Sequence, residues 1–215
     1  MPKDRFATAA SFLPDSRSLA ALRTAASQCK GCDLWRNATQ TVFGEGNKNM
    51  RVMMVGEQPG DKEDLQGKPF VGPAGAVLDK ALEQAGIDRD DVYVTNMVKH
   101  FKFEPRGKRR IHKKPTALEI SACRPWLEAE IAAVQPEVVV LMGSTAAQGL
   151  LGRDFRVTQH RGEWIPSPLA PMITATIHPS AILRAPDQEA RHMEMDRLVA
   201  DLKLVASRLR LPRAA

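Results

Sequence analysis

Four short apolar runs, spaced along most of the chain, form the clearest pattern in the sequence. Each is rich in β-branched or other large apolar residues and is bounded by polar residues, proline or glycine. This pattern is typical of a strand that is buried on both faces of a sheet. We therefore predict strands at Arg51–Gly56, Asp91–Asn96, Glu137–Gly143 and Met172–His178.

Apolar residues at helical spacing fill the segments between and after these strands. The alternation of strands and helices indicates an α/β fold with a largely parallel sheet, built as one domain over residues 1–215. About the first 40 residues form a helical segment that precedes the sheet. The other predicted helices are Ala74–Ala85, Thr116–Gln135, Ser144–Leu151, with Ser144 as its cap, and Glu189–Leu209.

Polar residues follow each predicted strand. Ligands of open parallel sheets bind outside the carboxyl ends of the strands, so these residues are expected to meet at one edge. A carboxylate, amides, histidines and cations would converge there. The segments in question are Gly56–Asp61, Asn96 with the basic residues after it, Gly143–Ala146 and His178–Ser180.

The composition is that of a soluble globular protein, with 43% hydrophobic and 26% charged residues in 215. The N-terminal sequence lacks the apolar core of a signal peptide. No run approaches the roughly 20 apolar residues of a membrane helix. We expect a soluble intracellular protein with no membrane partner.

The net charge of +6 is concentrated in one segment. Between Lys99 and Lys114 there are eight Lys or Arg residues and a single acid, Glu104, so that this segment carries +7 and the rest of the chain about −1. A focused basic patch favours docking of a polyanion such as nucleic acid. The alternative is a solvated loop without a binding role.

Three cysteines are present, at Cys29, Cys32 and Cys123. An intracellular chain rarely forms disulfides, so a metal site or a catalytic thiol is the more natural interpretation. With one histidine added, the spacing favours a structural zinc site. A redox-active pair is disfavoured because Cys29 and Cys32 follow a helix, whereas such a pair follows the first strand of a βαβ unit.

Several motifs together resemble the uracil-DNA glycosylase superfamily, and most closely its iron–sulfur branch. They are GEQPG after the first strand, GKPFVGPAG, TNMVKH after the second strand and HPSAILR after the fourth. The segment GKRRIH, at positions 107–112, resembles the loop of UdgX-type enzymes, which cross-link themselves to uracil-containing DNA.

The resemblance implies a three-layer α/β/α sandwich around a central four-stranded parallel sheet. It also implies a uracil flipped out of the DNA, because the scissile bond is inaccessible inside a stacked duplex. Uracil-containing DNA, single- or double-stranded, would be the partner of a monomeric protein in the cytoplasm, associated with the bacterial nucleoid.

The resemblance further implies a [4Fe–4S] cluster. Its motif after the second strand places a cysteine where this chain has His100, and histidine replaces cysteine in some iron–sulfur centres. The cluster would tie the N-terminal segment to the loop after the second strand. Its implied ligands are Cys29, Cys32, His100 and Cys123.

Three residues are implied to hold the uracil. His178 would donate a hydrogen bond to the leaving base, Asn96 would read its Watson–Crick edge, and Phe70 would stack on its ring. Without the resemblance these could be a capping histidine, a turn residue and a core phenylalanine. Gly56, Gln58 and Asp61 would complete the uracil site.

In the UdgX-type branch the nucleophile is the histidine of the basic loop, here His112, and Glu57 would orient it. A phosphate contact or a solvent-facing position is the alternative for His112. Ordinary turnover with Glu57 activating water, or a metal-stabilised binding module without catalysis, are the alternative functions. The implied DNA contacts are Lys108, Arg109, Arg110, Ser144, Ser180 and Arg184. For Lys108, Arg109 and Arg110, a role as loop anchors is the alternative.

Overall fold

The structure is a computed structural model that describes residues 8–210. Residues 1–7, which belong to the predicted N-terminal helical segment, and residues 211–215 lie outside the described part. The strands within it are β1 (Val52–Gly56), β2 (Val92–Asn96), β3 (Phe103–Arg106), β4 (Arg109–His112), β5 (Val138–Met142) and β6 (Met172–Thr176).

The central sheet consists of β2, β1, β5 and β6 in this order, and all its strand pairs are parallel. The four predicted strands are thus confirmed, each with slightly narrower bounds. Because side chains alternate between the two faces of a strand, Met53 and Val55 enter one apolar layer whereas Val52 and Met54 enter the other.

Helices cover both faces of the sheet and give the predicted α/β/α sandwich. One layer contains α4 and α5 together with the N-terminal α1, and the other contains α3, α7 and α8. The helices are α1 (Leu19–Ala26), α2 (Asp61–Gln66), α3 (Pro73–Ala85), α4 (Ala117–Val134), α5 (Ser144–Leu151), α6 (Val157–His160), α7 (Pro179–Leu183) and α8 (Gln188–Leu209).

The connection between β5 and α5 differs from the prediction. Gly143, and not Ser144, is the N-cap, and Ser144 is the first helical residue. Gly143 has a φ of +86°, and a Cβ built on it would lie 3.0 Å from His178 Cβ. Glycine therefore allows both the left-handed turn and the close approach of the β6–α7 connection.

The basic segment was predicted as a loop but folds as an antiparallel hairpin. Strand β3 pairs with β4 so that Phe103 lies opposite His112. Gly107 turns the chain with a φ of +59°. The hairpin has no strongly apolar face, because most of its side chains are exposed, and the alternation that identifies a half-buried strand is therefore missing.

Among the helices of residues 8–210, none combines the length and apolarity that crossing a bilayer requires.

Candidate active site

A cleft of about 850 Å³ opens at the carboxyl edge of the sheet. Every strand of the sheet contributes to it through the residues at or just after its end. Glu57 follows β1, Asn96 ends β2, Gly143 follows β5 and His178 follows β6, while His112 enters from the hairpin. These residues therefore lie together at one edge of the sheet, as predicted.

The floor of the cleft depends on Gly56. A Cβ at this position would lie 2.4 Å from Asn96 Oδ1 and 2.7 Å from Phe70 Cζ. The absence of a side chain lets the amide and the aromatic ring approach the backbone of β1. Phe70 also lies near the imidazole of His178, with ring centroids 6.1 Å apart and planes inclined by 28°. The flat ring of Phe70 and the hydrogen-bonding side chains of Asn96 and His178 thus face the same cleft.

The segment that carries Phe70 is strained and held by its neighbours. Phe70 has a φ of +57°, a left-handed conformation that is rare for a residue with a side chain. Its carbonyl oxygen lies 1.8 Å from where a Cβ on Gly75 would be, so only glycine fits at this point of α3. The buried Glu63 accepts hydrogen bonds from the backbone N–H groups of Gly60 and Gly72, which ties this segment to the loop after β1.

A buried ion pair stabilises the turn after β2. Lys99 Nζ contacts Glu130 Oε2 and donates to Asn96 O (2.7 Å) and Thr95 Oγ1 (2.6 Å). The other Glu130 oxygen accepts from Tyr93 Oη. A buried ammonium is tolerated only with partners of this kind, and breaking the pair would be strongly destabilising.

Sequence reasoning missed this network and counted Lys99 among the cations of the basic patch. Its side chain is instead buried. Lys102 and Lys113 are paired with Glu119 and Glu104. The exposed positive charge of the hairpin is therefore smaller than the composition of the segment indicates, and it is centred on the turn. Glu130 lies 31 positions after Lys99, so no local sequence pattern identifies the two residues as a pair.

The hydrogen bonds of His178 determine its tautomer. The backbone N–H of Ser180 donates to Nδ1 (3.1 Å), so Nδ1 carries a lone pair and Nε2 carries the proton of the neutral ring. Arg184 donates to Ser180 Oγ, which lies 2.8 Å from the same Nδ1. Burial lowers the pKa of His178 to about 4, and the charges of Arg184 and His112 act in the same direction. His178 is thus a neutral hydrogen-bond donor at the wall of the cleft.

Glu57 links two elements that are distant in sequence. Its Oε1 lies 3.3 Å from Nε2 of His112, and its Oε2 accepts a short hydrogen bond from Thr145 Oγ1. The side chain of His112 is half exposed, and its ring lies 6.1 Å from that of Phe101. The carboxylate and the imidazole that were predicted to cooperate are therefore in contact. Thr145 was not singled out from the sequence.

The base of the hairpin is fixed by Gln58. Its side-chain amide donates to the carbonyl oxygens of Lys102 and Lys113, and its Oε1 accepts from the Lys102 N–H. Gln58 was predicted to bind uracil, and it does line the cleft. The hydrogen bonds of its amide, however, are directed to Lys102 and Lys113, which flank the hairpin at its base, next to Phe103 and His112.

Arg110 holds the hairpin against α2. Its guanidinium pairs with Asp61 and with the fully buried carboxylate of Asp64, both at 2.5 Å. It also lies over the rings of Phe101 and Phe103, at 5.5 and 5.1 Å from their centroids. Of the two roles predicted for Arg110, these contacts correspond to that of loop anchor, and Asp61, predicted in the uracil site, serves as its partner.

The other predicted DNA contacts lie around the mouth of the cleft. Lys108 and Arg109 are exposed at the hairpin turn, and neither has an ion-pair partner among residues 8–210. Ser144 is exposed at the first position of α5. Ser180 and Arg184 line the cleft from α7 and its end.

The three cysteines lie close enough to influence one another. Burial raises the pKa of Cys123 to about 12, and both Cys32 and Cys29 add to this shift. Backbone or side-chain N–H groups already point at two of the sulfurs: Trp126 Nε1 lies 3.2 Å from Cys29 Sγ and Lys99 N lies 3.3 Å from Cys123 Sγ. Such donors are also what tunes thiolates that bind iron–sulfur clusters.

In the described part of the chain, no three His, Cys, Asp or Glu side chains are grouped tightly enough to hold a single metal ion. This argues against the zinc site that the spacing alone favoured. A four-iron cluster has a different requirement, because each ligand binds a different iron atom and the ligands stand further apart. Three thiols that influence one another, two of which accept N–H groups, fit the cluster better than the single ion.

His100 is buried nearby with a defined tautomer. Its Nε2 lies 2.9 Å from Thr41 Oγ1, and that hydroxyl donates its one proton to Ala26 O. Thr41 must therefore accept from Nε2–H, which leaves the lone pair on Nδ1 of the neutral ring. Burial lowers the pKa of His100 to about 4, so the ring is neutral. A metal-binding histidine has this arrangement, with one nitrogen hydrogen-bonded and the other free to coordinate.

Comparison with known proteins agrees with this architecture. The family model described as the uracil DNA glycosylase superfamily matches residues 43–203. This range includes all four strands of the sheet and every cleft residue described above. The chain belongs to the uracil DNA glycosylase superfamily.

Individual relatives within this superfamily cover most of the chain. A type-4 uracil-DNA glycosylase of Thermotoga maritima is 38% identical over 79% of this chain and 85% of its own length. A type-4 enzyme of Sulfurisphaera tokodaii is 34% identical over 79% of this chain and 78% of its own. A type-5 uracil-DNA glycosylase of Pyrobaculum aerophilum is 31% identical over 76% of each chain. A glycosylase enzyme is thus supported by both the family model and these relatives.

Proposed function

We propose that this protein excises uracil from DNA and retains the DNA through a covalent bond between His112 and C1′ of the abasic sugar. The observation that supports the second step is the contact between His112 and Glu57 at the mouth of the cleft. Excision itself is supported by the family and by the names of its relatives.

The cleft offers three groups that suit a flipped-out uracil. The ring of Phe70 provides a stacking surface. The amide of Asn96 both donates and accepts, which allows it to favour uracil over cytosine. His178 presents its Nε2 proton, which would stabilise the negative charge that develops on the departing base. A neutral donor suits this role because it leaves no fixed charge in the cleft before the base arrives.

In the proposed reaction the bond between C1′ and N1 of uracil breaks, and its electron pair leaves with the base. The lone pair of the His112 nitrogen that does not face Glu57 forms the new bond to C1′. The Nε2 proton stays shared with Glu57, whose carboxylate balances the charge of the alkylated imidazolium. The adduct would persist because Glu57, engaged with the alkylated imidazole, does not activate a water molecule against C1′.

An ordinary glycosylase that releases abasic DNA is the second candidate. In that reaction Glu57 would activate a water molecule. The position of His112 favours the covalent route, because its imidazole occupies the approach to the Glu57 carboxylate from the hairpin side.

We also propose that Cys29, Cys32, Cys123 and Nδ1 of His100 hold a [4Fe–4S] cluster. The cluster would crosslink the N-terminal segment to the loop after β2 and to α4, which is a structural task. Lys108 and Arg109 at the hairpin turn would contact DNA phosphates. We propose that the protein acts as a monomer on uracil-containing DNA, in the cytoplasm and at the bacterial nucleoid.

A denaturing gel tests the function directly. The protein is incubated with uracil-containing single-stranded DNA, heated in SDS and run beside DNA that carries thymine. We expect a shifted band with the uracil-containing DNA and none with the thymine-containing DNA. Abasic DNA without a shift would support turnover, and unchanged DNA would contradict catalysis altogether.

His112→Ser should abolish the shifted band and give released uracil, because water can enter the vacated space. His160→Ser is the matched control, since His160 Nδ1 contacts Glu163 Oε2 at 2.9 Å on the exposed surface. The control should cross-link like the wild type. A cross-link that survives in His112→Ser would exclude His112 as the nucleophile.

A further inference from the structure

The two oxygens of Glu57 have different partners. Oε1 faces the imidazole of His112, and Oε2 accepts the hydroxyl proton of Thr145. The first contact belongs to the proposed reaction, whereas the second is made by a residue without a role so far. Because the two oxygens belong to one rigid carboxylate, holding one oxygen restricts the positions that the other can take.

Thr145 is well placed to act as a fixed anchor. It is the second residue of α5 and is 1% exposed, whereas the Glu57 side chain is 22% exposed. Threonine in a helix populates two χ1 rotamers, and the buried position of Thr145 together with its bond to Glu57 selects one of them. A partly exposed glutamate has several rotatable bonds and loses that freedom only when it is held. The anchor is therefore more rigid than the group it holds.

His112 depends on such an anchor because its own support is weak. Its side chain is half exposed, and its position in the hairpin is set by Gln58 and Arg110 at a distance from the ring. Glu57 is the group that contacts a nitrogen of the imidazole, whereas Phe101 lies beside the ring. A carboxylate that could rotate away would leave that nitrogen without the partner that orients it.

We propose that Thr145 is a positioning residue that fixes Glu57 so that its free oxygen orients His112 for bond formation. This inference rests on the proposed function, and it adds a residue from α5 to a pair formed by β1 and the hairpin. Thr145 does not contact the reacting atoms. Its hydroxyl acts through Glu57, and its methyl group is needed only for packing.

The experiment compares Thr145→Val with Thr145→Ser in single-turnover reactions with saturating uracil-containing single-stranded DNA. The valine keeps the shape but lacks the hydroxyl, and we expect adduct formation to slow on the order of 10-fold to 100-fold, as for other small displacements of catalytic groups. The serine keeps the hydroxyl and should stay within a few-fold of the wild type. DNA affinity should be unchanged in both, because Thr145 is buried.

Thr174→Val is the matched control. Thr174 is a buried threonine of β6 whose hydroxyl has no hydrogen-bond partner within residues 8–210. It should react at the wild-type rate. Melting temperatures of all variants identify any loss that comes from unfolding.

A double-mutant cycle distinguishes positioning from a general structural effect. In a Glu57→Ala background the hydroxyl has nothing to hold, so Thr145→Val should cause no further loss of uracil release or adduct. An additive loss, an unimpaired Thr145→Val, or equal losses in the valine and serine variants would each overturn the inference. Failure of the proposed function appears separately, as a wild type that neither releases uracil nor forms the adduct.

Discussion

Asn96 Oδ1 occupies the space that a side chain on Gly56 would need. The two residues are register partners at the ends of β2 and β1, and a Cβ on Gly56 would come within 2.4 Å of that oxygen and 2.7 Å of Phe70 Cζ. The floor of the cleft therefore has its shape because Gly56 carries no side chain. Neither the amide nor the ring can retain its position if that space is filled.

Gly56→Ala should consequently impair uracil excision more than stability. The new methyl group displaces the Asn96 amide and the Phe70 ring, which face an open cleft and can move into it. We expect the single-turnover rate on uracil DNA to fall by about 100-fold. The rate is measured as uracil released under saturating protein, with the unfolding midpoint determined in urea for the same variant.

Gly86→Ala is the control for this substitution. Gly86 ends α3 with a φ of +73°, and a Cβ on it would meet no atom within 4 Å. Its replacement should cost about 1 kcal/mol of stability through backbone strain alone and leave excision intact. Wild-type excision by Gly56→Ala would show that the floor of the cleft does not bind the base.

The central sheet was predictable because its strands are buried on both faces, which leaves a continuous apolar run for each of them. The edge at which Glu57, Asn96 and His178 meet followed from the parallel arrangement, since the ends of such strands coincide. The roles assigned to these residues came from the resemblance of the motifs, and they stay predictions for this chain.

The hairpin and its supports were not predictable from local pattern. Its strands are exposed, and the contacts that fix it come from Gln58, Asp61 and Asp64, more than 40 positions away in sequence. Lys99 is similar, because its burial depends on Glu130, 31 residues further along. Pairs of this kind leave no periodic signal, and only the fold brings their members together.

Arg109 and Arg110, adjacent in sequence, should respond differently to substitution. Arg110→Ala removes both carboxylate pairs and the contact with two phenylalanine rings, and it leaves the buried Asp64 without its cation. We expect lower stability and a strong loss of adduct, because His112 lies two residues away on the same strand. The adduct is measured on denaturing gels under saturating DNA.

Arg109→Ala should instead weaken DNA binding without changing the reaction of bound DNA. One lost phosphate contact lowers the slope of log affinity against log salt by about 0.7 for a single strand. Titrations at several salt concentrations measure this slope. If Arg110→Ala matched Arg109→Ala in both assays, the anchor assigned to Arg110 would not hold the hairpin.

His178 should make the protein less stable as the pH falls from about 6.5 to 4. Its pKa is near 6.5 in the unfolded chain and is lowered to about 4 by burial in the folded one. In that window the unfolded state binds a proton that the folded state does not, so the free energy of unfolding decreases with decreasing pH. The contribution is on the order of 2 kcal/mol after allowance for partial exposure.

His178→Asn isolates this contribution. Asparagine can still cap α7 in place of the imidazole but does not titrate in this range. Urea unfolding at pH 7 and pH 4.5 should show a larger loss for the wild type than for the variant. Equal losses would mean that the pKa of His178 is not lowered in the folded protein, which would contradict the effect assigned to its burial.

Thr41→Val should weaken the metal site through His100, which it contacts. The hydroxyl of Thr41 fixes the Nε2 proton, and without it the ring can rotate or change tautomer, so that the lone pair on Nδ1 is no longer held ready to coordinate. We expect less iron and sulfide per chain and a weaker visible band.

His100→Cys, which supplies a fourth thiolate in place of the imidazole, should keep both the iron content and the visible band. Thr24→Val is the control, because within residues 8–210 the Thr24 hydroxyl bonds to Ala20 O alone, on the exposed side of α1. Stoichiometric zinc without iron in the wild type would exclude the cluster, and full iron content in Thr41→Val would exclude the role of the hydroxyl.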